Sequence, residues 1–101
     1  MKVKTIDINA RTWFDKVNGN SYFSAIVVVN YGTPEAKEFK LPFQYGYGSY
    51  YEQAAKEALI DNGILPAACP SLWSYCQYNG IILRRNNQQN CLKRDVVNFV
   101  K

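Results

Sequence analysis

Residues 12–25 read TWFDKVNGNSYFSA and place Asn18-Gly19 between two runs of alternating apolar and polar side chains. Asn-Gly is a strong signal for a two-residue hairpin loop, because both positions tolerate the positive φ angles that such a loop requires. With this loop, the numbers of paired residues on the two strands sum to 37. The sequence therefore predicts one face built from the pairs Phe14–Phe23, Thr12–Ala25, Ala10–Val27, Ile8–Val29 and Ile6–Tyr31.

A third strand follows the hairpin, and its side chains alternate as cleanly. The apolar ones, expected to point inward, are Phe39, Leu41, Phe43 and Tyr45. Pro42 cannot donate a ladder hydrogen bond, so it predicts that this strand lies at an edge or contains a bulge. The second strand, residues 22–31, also carries Ile26 and Val28 on its other face, which predicts a central strand with part of that face covered.

A helix is predicted from about Tyr50 to Asn62. Ser49 and Glu52 have the spacing of a capping box, in which each side chain accepts a hydrogen bond from a free backbone amide. Gly63 provides a left-handed stop after the last turn. One face of the helix carries an apolar stripe that consists of Tyr51, Ala54, Ala55, Ala58 and Leu59.

The last third has weaker signals. Residues 70–80 predict a short second helix, residues 81–83 a strand, and residues 86–90 a polar loop. Residues 91–101 fit either a helix or a strand that closes a hairpin, and we favour the strand. The predicted fold class is α+β: an antiparallel three-stranded β-meander, an amphipathic helix packed on it, then a short helix and a further strand or hairpin. All of it is expected to form a single globular domain over residues 1–101.

The residue inventory argues against catalysis. The 101 residues include no histidine, which excludes Ser/His/Asp and Cys/His nucleophilic systems. Three scattered cysteines, Cys69, Cys76 and Cys91, lack the paired spacing of a metal site, and their odd number favours a reducing compartment. We therefore expect no catalytic residues, no metal and no cofactor. We also expect a cytoplasmic protein, because no run of about 18 apolar residues predicts a membrane span and residues 1–7 do not resemble a signal peptide.

The net charge of +4 comes entirely from residues 64–101. Such asymmetry indicates either an anionic partner or a basic surface exposed to solvent. Two tyrosines, Tyr47 and Tyr50, fall outside both the strand alternation and the helical stripe, so they are candidate interface residues unless they pack against the last third. The candidate partner-binding residues are thus Tyr47, Tyr50, Arg84, Arg85, Lys93 and Arg94.

A glycine-rich turn precedes the first helix. Gly46, Gly48 and Ser49 are candidate anion-binding residues, since backbone amides at a helix N-terminus can hold a phosphate. The turn lacks both the third glycine of a dinucleotide fingerprint and the lysine of a P-loop. A tight strand-to-helix turn is the simpler interpretation of these residues.

Two motifs resemble small uncharacterised proteins encoded by bacteriophages. They are WFDKVNGNSY at residues 13–22 and PFQYGYG at residues 42–48, and the resemblance covers about the first two-thirds of the chain. It implies an accessory protein made inside a bacterium, and many such proteins bind and block a host or defence component. It carries no activity and no site residue over to this chain.

The sequence thus leads to one main functional hypothesis and two alternatives. The main one is a non-enzymatic phage-type accessory protein, anti-CRISPR-like or similar, that binds and inhibits a host or anti-phage defence protein. One alternative is a nucleic-acid-binding protein that uses the basic last third together with tyrosine stacking. The other is a protein that sequesters a nucleotide-like ligand at the Gly46–Ser49 turn. No membrane partner is expected, and the sequence leaves the oligomeric state open.

Overall fold

The structure, a computed structural model, describes residues 2–101 as a four-stranded mixed sheet flanked by helices on both faces. The strands are β1 (Thr5–Asp15), β2 (Asn20–Val29), β3 (Lys37–Tyr45) and β4 (Ile82–Gln88), and the helices are α1 (Tyr50–Asp61), α2 (Leu72–Asn79) and α3 (Lys93–Phe99). The sheet order is β3-β2-β1-β4. The α+β class and the antiparallel meander β1-β2-β3 are confirmed, but β4 pairs in parallel with β1, so the sheet is mixed.

The predicted hairpin is present, but its predicted register is wrong by two residues. Asp15 pairs with Asn20, and Ile8 pairs with Val27 instead of Val29. A shift of two residues preserves the alternation of faces, so the predicted inner face still forms the core. Phe14, expected to be buried opposite Phe23, is 46% exposed at the end of the strand.

The side chain of Asp15 explains the longer loop. Its carboxylate accepts hydrogen bonds from the backbone amides of Val17 and Asn18 and from the side-chain amide of Asn18. The amide of Gly19, at φ 72°, donates to the carbonyl of Asp15. Residues 16–19 therefore form a four-residue loop, because aspartate satisfies backbone amides that a two-residue turn would leave in the strands.

Strand β3 confirms both expectations drawn from Pro42. It lies at an edge of the sheet, and its register with β2 shifts between Phe23 and Ala25. Leu41, before the irregularity, is buried on the inner face as expected. Phe43 and Tyr45 come after it and lie on the opposite face, beside Tyr22, so their predicted inward orientation is wrong.

The inner face of the sheet packs on α1 and α2 and forms the main core. Its largest fully buried side chains include Ile6, Ile8, Val27, Val29 and Leu59. On the outer face lies α3, as the apolar residues on both faces of β2 anticipated. The buried hydroxyl of Ser24 donates to the carbonyl of Val96 over 2.6 Å, and the guanidinium of Arg11 lies 4.3 Å from the ring centre of Phe99.

Helix α1 is confirmed, but its predicted capping box is wrong. Ser49 makes no side-chain cap hydrogen bond, and the Glu52 carboxylate instead accepts from Arg85 Nη1 over 2.7 Å. The helix ends as expected. Gly63 has φ 74°, and the amide of Ile64 donates to the carbonyl of Leu59 in the pattern of a Schellman motif. Burial of the predicted stripe therefore stabilises α1 without a side-chain cap at its start.

Two expectations for the last third are wrong. Residues 86–88 belong to strand β4 and not to a loop. An edge strand open to solvent accommodates polar side chains, and the side-chain oxygen of Asn87 accepts a hydrogen bond from the Thr12 hydroxyl. Residues 93–99 form helix α3 and not a closing strand. The carboxylate of Asp95 accepts from the amide of Leu92 at the helix start, and Val96 is buried against the sheet. The short helix α2 is confirmed, and Ser71 caps it.

No helix in the part of the chain that the structure describes is long and apolar enough to cross a membrane.

Candidate binding surface

Aromatic side chains cluster on the outer face of the sheet, at the end next to the β1–β2 loop. The rings of Trp13 and Tyr22 stack at 5.5 Å between centres, and those of Tyr22 and Phe43 at 5.1 Å with an angle of 8°. Tyr45 meets Tyr22 edge-on at 5.9 Å and meets Tyr47 edge-on at 5.3 Å. We call this surface the aromatic patch; it consists of Trp13, Tyr22, Phe43, Tyr45 and Tyr47.

Three strands and one turn assemble the patch. Trp13 pairs directly with Tyr22, and Tyr22 pairs with Tyr45, so the hairpin register and the β3 register place these side chains on one face. The irregularity at Pro42 turns the end of β3 over, which adds Phe43. Helix α3 covers the middle of the same face but leaves this end exposed, with Tyr45 at 53% and Tyr47 at 49%.

Gly46 allows the chain to leave β3 tightly. A Cβ atom on Gly46 would lie 2.7 Å from Phe23 Cε1 and 2.8 Å from Tyr50 Cδ2, so no larger residue fits without movement. The Tyr47 hydroxyl then donates to the carbonyl of Gly19 over 2.7 Å and links this turn to the β1–β2 loop. The close approach at Gly46 and this hydrogen bond together hold Tyr47 beside Tyr45.

One cation accompanies the aromatic patch. The ammonium of Lys93, at the start of α3, lies 5.6 Å from the ring centre of Trp13, within the range of a cation–π contact. The interaction with the Tyr47 side chain raises the pKa of the Tyr45 phenol above its ordinary value, so this ring stays uncharged well above neutral pH. The patch therefore offers apolar rings, phenol hydroxyls and a positive edge.

The two tyrosines singled out from the sequence lie on opposite sides of the turn. Tyr47 belongs to the aromatic patch, whereas the ring of Tyr50 packs edge-on against the buried Phe23 at 6.1 Å. Both are roughly half exposed, so exposure alone does not distinguish them. Only Tyr47 lies on the same surface as Trp13 and Lys93.

The four basic residues singled out from the sequence also separate into two groups. Arg84 forms an ion pair with Asp7, and Arg85 forms one with Glu52, which raises the pKa of both guanidinium groups. Both arginines are therefore engaged within the fold, on strand β4. Lys93 and Arg94 lie on α3 and are exposed, on the face of the sheet that carries the aromatic patch.

The Gly46–Ser49 turn borders a groove of about 460 Å³ between the starts of α1 and α2. Tyr47, Tyr50 and Trp73 line it, together with Ser49, Glu52, Gln53, Ser71 and Leu72. The amide of Gly46 already donates to the carbonyl of Ser21, and Glu52 brings a carboxylate to the groove. These two features weaken the case for Gly46, Gly48 and Ser49 as an anion site.

The two buried cysteines are not activated nucleophiles. Burial raises the pKa of the Cys76 thiol to about 11 and also raises the pKa of Cys69, so both stay protonated at neutral pH. Cys91 is half-buried, and its thiol donates to the carbonyl of Gln88. Within residues 2–101, no three His, Cys, Asp or Glu side chains cluster in a way that holds a metal ion.

Four members of the patch were not found from the sequence: Trp13, Tyr22, Phe43 and Tyr45. A signal for two of them existed, because a four-residue loop after Asp15 makes Trp13 and Tyr22 direct partners.

Searches against family models, curated proteins and solved structures found no match to this chain.

Proposed function

We propose that this chain is a non-enzymatic binding protein that attaches to another protein through the aromatic patch and blocks it. The observation that carries the proposal is a cluster of five aromatic side chains at one end of the outer sheet face, in which Tyr45 and Tyr47 are about half exposed and Trp13, Tyr22 and Phe43 are partly exposed. Aromatic side chains supply much of the binding energy at protein interfaces because they bury a large area with few rotatable bonds.

The arrangement of the rings favours a protein over a nucleic acid. Proteins that bind single strands present open ring faces on which bases stack. Here Trp13, Tyr22 and Phe43 already stack on one another, with centres 5.1 to 6.4 Å apart, and Lys93 lies over Trp13. A base would have to displace contacts within the patch, whereas an apolar protein surface can pack on the ring edges that remain.

The charge distribution points the same way. Arg84 and Arg85 are two of the four phosphate-binding candidates from the sequence, and both pair with carboxylates, of the sheet and of α1 respectively. A nucleic-acid site built on these two arginines would have to break both ion pairs, because each phosphate contact depends on an unpaired cation. Nucleic-acid binding remains an alternative outcome of the experiment below.

The biological setting belongs to the same proposal. The resemblance of residues 13–22 and 42–48 to uncharacterised phage proteins supports an accessory protein that inhibits a host or anti-phage defence component. Three free thiols, Cys69, Cys76 and Cys91, support a reducing compartment, which we take to be the cytoplasm of the producing bacterium.

The proposal is tested by capture from a bacterial lysate, with and without nuclease treatment, using the tagged chain and a patch variant. Tyr45→Ala/Tyr47→Ala removes the two most exposed rings of the patch. Tyr31→Ala/Tyr78→Ala is the matched control, since those tyrosines are 70% and 93% exposed and lie outside the patch. We expect a captured protein that the control retains and that the patch variant binds on the order of thirtyfold more weakly.

Two results would overturn the proposal. One is equal capture of the same protein by the patch variant and the control, which would place binding elsewhere on the chain. The other is capture that disappears entirely after nuclease treatment and is restored by added nucleic acid, which would favour the nucleic-acid alternative.

A further inference from the structure

We infer that the partner surface seated on the aromatic patch is acidic, with carboxylates placed to meet Lys93, Arg94 and Lys16. This inference rests on the proposed function, because it names the chemistry of the partner at the same site. It follows from which charges at this end of the molecule are already engaged and which are free.

The carboxylates at this end are occupied by the protein itself. Asp15 accepts three hydrogen bonds from its own loop, and the bond from the Asn18 side chain is the main reason that its pKa is lowered. Asp95 accepts from the amide of Leu92 and holds the start of α3. Neither carboxylate forms a salt bridge with a lysine or an arginine among residues 2–101.

Within the residues that the structure describes, the cations at this end form no ion pair, and the only interaction with a carboxylate is the longer-range one by which Lys93 helps to lower the pKa of Asp15. The two ion pairs in the described part of the chain involve Arg84 and Arg85 on β4, so Lys16, Lys93 and Arg94 have no carboxylate within 4 Å. Lys93 lies over Trp13, and Lys16 is exposed in the β1–β2 loop. Unpaired cations around an apolar centre complement a partner with an apolar centre and an acidic rim.

A shallow depression next to the patch gives such a partner a place to insert a side chain. Its volume is about 400 Å³, and it lies between the β1–β2 loop and the segment that leads into α3. Apolar side chains line it, among them Trp13, Phe14, Val17 and Leu92, together with Lys16 and Asp15. The Asp15 carboxylate is held by the amides of its own loop, so Lys16 is the charged group of this wall that a partner can pair with. An apolar side chain flanked by carboxylates matches this combination.

A second copy of the chain does not match it. A symmetric dimer would bring the same patch of each copy together, and with it the same unpaired lysines and arginine. Each copy also carries a net charge of +4, so the two would repel. These unpaired positive charges attract an acidic partner surface instead.

The test uses the fluorescence of Trp13. Trp13 and Trp73 are the only tryptophans, and Trp73 is exposed on α2, so Trp73→Phe leaves Trp13 as a single reporter in the patch. The probes are a synthetic peptide of Glu-Glu-Phe repeats, the same peptide with glutamine in place of glutamate, and an oligothymidylate. We expect the glutamate peptide to bind at least about tenfold more tightly than the glutamine peptide at low salt, and to lose this advantage as salt screens the charges.

Charge variants in the same background test the named cations. Lys93→Gln/Arg94→Gln should weaken binding of the glutamate peptide by about tenfold, whereas Lys4→Gln/Lys37→Gln, which removes the same charge from two exposed positions at the opposite end of the sheet, should leave it unchanged. Equal binding of the two peptides, no binding of the glutamate peptide, tighter binding of the oligothymidylate, or equal effects of the two charge variants would each overturn the inference. Failure here alongside patch-dependent capture from lysate would remove the acidic partner and keep the proposed function.

Discussion

Both faces of the sheet carry aromatic side chains, but those side chains are buried on one face and exposed on the other. On the inner face, Phe23 is 2% exposed and belongs to the buried core that α1 and α2 cover. On the outer face, α3 spans only Lys93–Phe99, and the rings of Tyr45 and Tyr47 remain about half exposed. The difference teaches that aromatic content by itself does not identify a core. Whether a cluster of rings is core or surface depends on whether another element covers it.

This comparison also separates stability from binding. Burial of apolar area on the inner face contributes most of the favourable free energy of folding, at about 25 cal/mol per Å². On the outer face, helix α3 is attached to the sheet chiefly by the hydrogen bond from Ser24 to Val96 and the contact of Arg11 with Phe99. Substitutions on the two faces should therefore change different measurements.

The largest effect is expected from a truncation in the core between the inner face and α1. Leu59 is fully buried in the core, so Leu59→Ala should lower the free energy of unfolding by about 2–5 kcal/mol, from lost burial and the cavity left behind. Denaturant unfolding measures it. Leu92→Ala is the matched control, since Leu92 is 54% exposed, and it should change stability by less than about 0.5 kcal/mol. Similar losses in the two variants would contradict the assignment of the core to the inner face.

The second-largest loss of stability is expected from a substitution in the Gly46–Ser49 turn. Gly46→Ala would push a methyl group against the rings of Phe23 and Tyr50, and overpacking of this kind costs about 1–3 kcal/mol. Thermal unfolding measures the loss.

Gly48→Ala is the control at the same turn. Gly48 has φ 53°, and a methyl group added there would meet no atom within 4 Å, so only backbone strain of about 1 kcal/mol is expected. Wild-type stability of Gly46→Ala would mean that the turn is looser than its contacts indicate.

The two helices under the inner face should respond differently to loss of their first serine. Ser71 Oγ accepts from the amide of Ser74 over 3.1 Å, so Ser71→Ala should cost about 1 kcal/mol. Ser49 makes no such bond, so Ser49→Ala should leave the melting temperature nearly unchanged. A loss at Ser49 as large as that at Ser71 would restore the capping box that the sequence predicted.

The parts of the fold that could be predicted were those with local signals. Alternation identified the inner face of β1 and β2, Pro42 identified the bulge, and Gly63 identified the end of α1. The register was missed because Asp15 lengthens the loop with side-chain hydrogen bonds, an effect that an Asn-Gly pair does not reveal.

The remaining parts depend on contacts between residues far apart in the sequence. Strand β4 pairs in parallel with β1, and neither the pairing partner nor its direction is visible in a polar run such as residues 86–88. Helix α3 exists where Val96 fits against the sheet beside Ser24, 72 residues away. The aromatic patch combines the missed register with the bulge, so the sequence identified only Tyr47 of its five members.

The smallest change in stability is expected from one of two tyrosines that are three residues apart. The pair tests the comparison of the two faces most directly. Tyr50 packs on Phe23 of the inner face, whereas Tyr47 adds an exposed ring and one hydrogen bond to the outer face. Tyr47→Ala should therefore cost less than about 1 kcal/mol, a fall of a few degrees in melting temperature, and should weaken capture of the partner, though by less than Tyr45→Ala/Tyr47→Ala does. Tyr50→Ala should lower the melting temperature further and retain capture at a temperature where it stays folded. Because the two side chains are 49% and 43% exposed, exposure predicts no such difference, and the reverse pattern would move the binding surface to the groove between α1 and α2.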